Sequence, residues 1–166
     1  MTDSALRDLD DLTDGIRVAM LVLHRDTGID GRPLTVQKID GDAVWFLVGD
    51  QAEWLGDVDG PVNVTFVDDK TWVSVSGTGA LFQDPKVVEE LGDPVSDAWF
   101  QEGQSPLALR VDVEHGEWWT APTFVRAAIG VAKAKVTGTT PDIGDHGEVT
   151  EHATATSDDE GVHRRR

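Results

Sequence analysis

The chain contains no cysteine and no tyrosine. The first absence excludes a disulfide framework, every thiolate metal site and a cysteine nucleophile. The histidines, His24, His115, His146, His152 and His163, show no metal-ligand spacing, and three of them fall near the C-terminus, so no metal site is expected. A Gly-x-Ser-x-Gly elbow is missing, and with it the nucleophile signature of a hydrolase triad. Gly77-Thr78-Gly79 lacks the Walker spacing of a phosphate loop, and the Asp-rich start is not a calcium loop, because Leu12 stands where a ligand is needed after Asp10. Apolar runs stay well short of the ~18 residues that cross a bilayer. Asp3, Asp8, Asp10 and Asp11 occupy the place of a basic n-region, so no secretory signal and a cytoplasmic location are expected, with the Asn63-Val64-Thr65 sequon idle. Basic residues are scarce: 14 against 31 acidic ones, a net charge of −17. Such a surface repels nucleic-acid phosphates and anionic lipid, which argues against both as partners. It also suits solubility, or a salt-rich source in which a Debye length of ~3 Å relieves self-repulsion. With neither tyrosine nor cysteine, hard chemistry would need a borrowed cofactor.

What remains is a 166-residue chain, 39% hydrophobic, enough for one core and too short for two full domains. Its first half reads as strands separated by turn chemistry. Ile16 to His24 is a β-branched and apolar run. Asp26-Thr27-Gly28 and Asp30-Gly31 then permit a reversal before Leu34 to Ile39. Asp40-Gly41 is a hairpin signal leading into Ala43 to Val48. Pro33 cannot donate to a sheet ladder, which places it at the first positions of a strand or on an edge, and Arg32 at a rim. Strands are also expected over Val62 to Val67, Trp72 to Phe82 and Leu107 to Val113, the last alternating apolar with Arg110 and Asp112. Ser74, Ser76 and Thr78 form a hydroxyl face opposite Val73, Val75 and Leu81, suited to a subunit interface, a polar ligand or plain solvent exposure. Gly77 and Gly79 mark a bend or bulge. A short N-terminal helix capped at Asp3 or Ser4 ends at Gly15, and Asp84-Pro85 opens a helix that stops at Gly92. Asp93-Pro94 begins a turn carrying Trp99 and Phe100, and Val125 to Val136 has helical spacing. Residues 139–166, acidic and Thr-rich and closed by His163-Arg164-Arg165-Arg166, lack apolar periodicity and read as a disordered tail behind a folded domain over 1–138.

Three segments, Arg17-Val18-Ala19-Met20-Leu21, Arg32-Pro33-Leu34 and Trp45-Phe46-Leu47-Val48, follow one another in the order of a known family's landmarks. Trp72 to Thr78, Ala98-Trp99-Phe100, Leu109 to Asp112 and Ala132 to Gly138 continue the series. Over roughly residues 5 to 138 the chain resembles the general-stress-protein branch of the pyridoxamine 5'-phosphate oxidase-like, flavin-binding split barrels. The resemblance implies a mainly β (α+β) fold, a six-stranded antiparallel split β-barrel with short flanking helices. It also implies flavin mononucleotide (FMN) held at the interface of a homodimer, and an oxidoreductase acting on a small substrate. Arg32 would grip the phosphate, the alternative being a solvated strand-end arginine. Pro33 would flank it, backbone groups of Phe46, Leu47 and Val48 would meet the ring, Trp99 of either subunit would be a candidate wall, and Trp54 would offer a stacking face in place of the family's lysine. No catalytic residue is assigned. Where the family carries Thr, Ser and Lys after the third strand, this chain has Val48, Ala52 and Trp54. That departure keeps two other readings open: a deazaflavin or similar ring stacked on Trp54, and a cofactor-free, non-catalytic dimeric stress protein. Six tryptophans, several near proposed strand ends, independently favour a homodimer interface.

Overall fold

The computed structural model describes residues 8–92, 100, 103–121 and 146–149. Helix α1 (Leu9–Thr13) precedes β1 (Val18–Arg25), β2 (Gly28–Asp40) and β3 (Ala43–Gly49). A 3₁₀ turn over Glu53–Asp57 leads to β4 (Pro61–Val67) and β5 (Thr71–Phe82). Then come α2 (Pro85–Leu91), β6 (Pro106–Thr120) and the short β7 (His146–Glu148). All strand pairings are antiparallel, in the order β3-β2-β1-β4-β5-β6-β7, and β3 also pairs with β6. That last pairing closes six strands into a barrel, as the sequence reading expected.

Alternation builds the interior. On β3, Val44, Phe46 and Val48 are buried while Trp45 and Leu47 face outward. Ala19, Leu21 and Leu23 of β1, Val64 and Phe66 of β4, Val73 and Val75 of β5, and Leu109 and Val111 of β6 complete the core. Side chains fill this small barrel, so a ligand must bind on its outside.

Several boundaries differ from the sequence reading. Strand β2 begins at Gly28, well before Pro33, because the hairpin runs straight on from Arg25↔Gly28. Among the described residues the half of β2 up to Thr35 pairs with β1 alone, and β3 takes over from Val36. Pro33, paired with Met20, therefore lies on an edge stretch and withholds no ladder bond. Arg32 is not at a rim. It lies in mid-strand opposite Leu21, whose side chain is in the core. Strand β6 outruns its expected end at Val113, continuing through Trp118 and Trp119 because β5 stays paired with it as far as Thr120. The bulge between Ser76 and Gly77 falls where glycine was read as a bend. A Cβ at Gly77 would stand 1.8 Å from the Asp112 carbonyl oxygen, so the close approach of β5 and β6 admits only glycine.

Asp84 caps α2, its carboxylate accepting from the Lys86 amide at 2.9 Å with Pro85 in the first turn. Within the stretch read as a tail, His146–Glu148 pair with Glu117–Trp119, and the Val149 amide donates to Gly116 at 2.9 Å. The rest of 122–166, the expected helix over Val125 to Val136 included, lies outside the described residues. So do the N-terminal cap at Asp3 or Ser4 and the turn at Asp93-Pro94. No described helix is long and apolar enough to cross a membrane.

Candidate functional site

Strand β3 ends at Gly49 while, among the described residues, the first half of β2 has no partner on its outer edge, and the two diverge to leave a cleft on the barrel's outer face. The cleft has a volume of about 570 Å³, within the range of small-molecule sites. Pro33, Leu47, Val48, Ala52, Trp54 and Phe100 give it apolar walls. Arg17, Thr35, Gln37 and Gln104 also line it and bring a cation, a hydroxyl and two amides.

Each polar group is placed by a local rule. Arg17 and Val18 stand at the entry of β1, where Val18 pairs with Thr35 and the Arg17 carbonyl accepts from the Val36 amide at 2.9 Å. The register of β2 on β3 jumps between Val36↔Phe46 and Lys38↔Trp45, and Gln37 is the residue in that bulge. Bulges re-aim a side chain beside a functional cleft, and this one turns Gln37 toward it. Gln104 lies so close over Gly49 that a Cβ there would meet its Oε1 at 2.9 Å. The segment carrying it is pinned on β3. The Asp50 amide donates to the Ser105 carbonyl at 2.9 Å, the Ser105 amide to Asp50 Oδ1 at 3.0 Å, and Gln51 Nε2 to the Gly103 carbonyl at 2.8 Å.

Of the residues expected from sequence, Pro33, Leu47, Val48 and Trp54 line the cleft. Phe46 is fully buried in the barrel interior behind it. Trp99 lies outside the described residues, although its neighbour Phe100 is at the cleft. Arg32 is not among the lining residues; its guanidinium carbon sits over the Trp54 ring, 4.6 Å from the centroid. Arg32 Nη2 donates to Asp30 Oδ2, which also receives Arg25 Nη1 at 3.5 Å, while Arg25 Nε donates to Asp57 at 3.0 Å. The Asp57 hydrogen bond raises the Arg25 pKa above its ordinary value, with desolvation opposing it. Two cations and two carboxylates thus balance one another. Val48, Ala52 and Trp54, the positions departing from the family pattern, come together here; Val48 and Trp54 pack on the core and are nearly buried.

Sequence reasoning missed Arg17, Thr35, Gln37 and Gln104. Arg17 had a signal, a cation immediately before an apolar strand. Gln37 had none, since a bulge depends on the partner strand. Among the described residues no group of three or more histidine or acidic side chains could hold a metal ion.

The family model for pyridoxamine 5'-phosphate oxidase-like proteins matches residues 4–142. Among solved structures, general stress protein 26 from Jannaschia sp. CCS1 is 27% identical with a TM-score of 0.63, over 84% of this chain and 94% of that one. A general stress family protein from Xanthomonas campestris pv. campestris is 26% identical with a TM-score of 0.57, over 68% and 83%. The general stress FMN/FAD binding protein from Xanthomonas citri is 24% identical with a TM-score of 0.57, over 65% and 82%. No curated protein matches the chain.

Proposed function

The chain belongs to the pyridoxamine 5'-phosphate oxidase-like family, whose FMN-binding stress proteins support a flavin-binding split barrel here, and on that premise we propose that the outer cleft binds FMN in a homodimeric oxidoreductase. The observation that carries the proposal is the cleft's donor set. A flat apolar wall suits a ring system, the amides of Gln37 and Gln104 suit its polar edge, and Arg17 supplies the local positive charge an anionic phosphate needs on so acidic a protein. Arg17, which lines the cleft where Arg32 does not, takes the phosphate in this reading. A bound flavin would supply hydride or electron transfer. The chain's own part is to seat the ring against Leu47 and Trp54, meet its edge with amides and exclude water with Phe100. Its substrate is a small molecule that reaches the exposed face of the ring.

The dimer places a second copy beside the cleft. Val18 and Val67 flank the Ala19–Phe66 pair, Val67 pairs with Trp72, and Trp72 pairs with Trp119. These four side chains form one apolar row across β1, β4, β5 and β6, each 40% or more exposed. Next to the row, Asn63 Nδ2 donates to Ser74 Oγ at 2.9 Å and to Ser76 Oγ at 3.2 Å, which ties two hydroxyls of that face to β4. Val18 belongs both to the row and to the cleft, so a copy seated on the row completes the cleft wall.

Absorbance of the purified protein and FMN fluorescence quenching test the reading. Saturable quenching by a dimer, lost in Arg17→Glu, is expected; a colourless protein that quenches no FMN would overturn it. The apolar Val48, Ala52 and Trp54 in the cleft favour, as a second reading, a conjugated ring other than FMN, such as a deazaflavin, for which a deazaflavin titration is the matching assay.

A further inference from the structure

We propose that Arg32 is a positioning residue: it braces Trp54 from behind, and through that indole sets the shape of the ring-binding wall without touching the ligand. The inference deepens the flavin reading and rests on it for its ligand assays. Trp54 lines the cleft; Arg32 does not line it, yet its guanidinium carbon lies over the indole, 4.6 Å from the ring centroid. Arg32 Nε is buried with no hydrogen-bond partner among the described residues, whereas Nη2 is held by Asp30. The guanidinium is thus held between one carboxylate and the Trp54 ring.

The brace reaches beyond one side chain. Trp54 belongs to the 3₁₀ turn Glu53–Asp57, and the β1–β2 hairpin grips that turn at two points, Arg32 on Trp54 and Arg25 on Asp57 at 3.0 Å. Asp30 accepts from both arginines and so sets their spacing. Just past the turn, the Val58 carbonyl accepts from the Gly79 amide at 3.0 Å and ties its end to β5. Core packing limits the Trp54 rotamer, and the Arg32 contact adds to it, so that the indole presents one surface to a ring. A lysine at 54, the family's residue type there, would place a second cation beside Arg32, so the brace and the aromatic wall belong together.

The test compares FMN with riboflavin, which lacks the phosphate, and follows Trp54 by ¹⁹F NMR in protein labelled with 5-fluorotryptophan, its resonance assigned by Trp54→Phe. Arg32→Met should weaken FMN and riboflavin by the same factor, about tenfold, leaving their ratio unchanged and shifting or broadening the Trp54 resonance without ligand. Asp30→Asn, a milder change, should act in the same direction on both flavins. If Arg32 instead held the phosphate, Arg32→Met would collapse the FMN-to-riboflavin ratio and Asp30→Asn would strengthen FMN binding; either result overturns the proposal. An unmoved Trp54 resonance in both variants also overturns it. Should the wild type bind neither flavin, the flavin reading fails and the Trp54 resonance still decides the brace.

Discussion

Replacing Trp54 by lysine restores the residue type that the family carries and asks what the indole is worth. Were polar contact with a phosphate all that mattered, the change would tighten FMN binding by the ~1.5–3 kcal/mol of a charge-assisted hydrogen bond. The structure predicts a different outcome. Trp54 is 8% exposed, packs with the core and covers Arg32. Truncating a buried tryptophan costs about 3–5 kcal/mol. The lysine stem recovers part of that packing, but its ammonium is a like charge beside the guanidinium and turns toward water in the cleft. We expect a net loss of about 3 kcal/mol, a large fraction of the ~5–15 kcal/mol that holds a domain together. In urea, with a slope of about 2 kcal/mol per molar, the midpoint should fall by roughly 1.5 M. Trp54→Phe, which keeps an aromatic face, should lose less than half as much. Equilibrium urea unfolding followed by far-UV circular dichroism, at one salt concentration, measures all three proteins. A lysine variant that unfolds at the wild-type midpoint would refute the view of Trp54 as a core-packed wall. The same logic applies to Val48→Thr, which buries a hydroxyl at a position 4% exposed.

Arg17→Met should weaken FMN by at least about tenfold while leaving riboflavin nearly unchanged, as read by fluorescence titration. If the proposed homodimer uses the apolar row, light scattering should give a dimer for the wild type, tightening with added salt because each chain carries −17, and a monomer for Trp72→Glu. Gly77→Ala should destabilise the barrel by about 3 kcal/mol or more in urea, since its Cβ would collide with the Asp112 carbonyl. Truncation after residue 150 should leave the melting temperature unchanged, whereas truncation after Gly138 should lower it by several degrees, because it removes β7 from beside the buried Trp118. Arg25 has a raised pKa, so the stability it draws from Asp57 is complete below the ordinary arginine value and is lost only as pH rises through the raised one. Arg25→Gln should therefore lower the melting temperature equally across about pH 6 to pH 9.

The amino-acid sequence by itself settled those features whose causes are local. Alternation of valine, leucine and phenylalanine determines the strands, Asp40-Gly41 the hairpin, and Asp84-Pro85 the start of α2. The lack of cysteine removes whole classes of chemistry without any fold. Family landmarks, being an ordered set along the chain, gave the barrel before any contact was known. The tertiary structure decided which face of each strand is inner. A period of two fixes alternation, but the side that meets the core follows from register with a partner. Arg32 and Arg17 show the consequence. Both look like exposed strand-end arginines in sequence, yet Leu21 opposite Arg32 draws it behind Trp54, while Arg17, at the entry of β1, lines the cleft. Gln37 enters through a bulge that exists only because β3 pairs with β2 out of step, and Gln104 arrives from far along the chain. Such features depend on closure between strands distant in sequence, and no window of neighbouring residues contains that information.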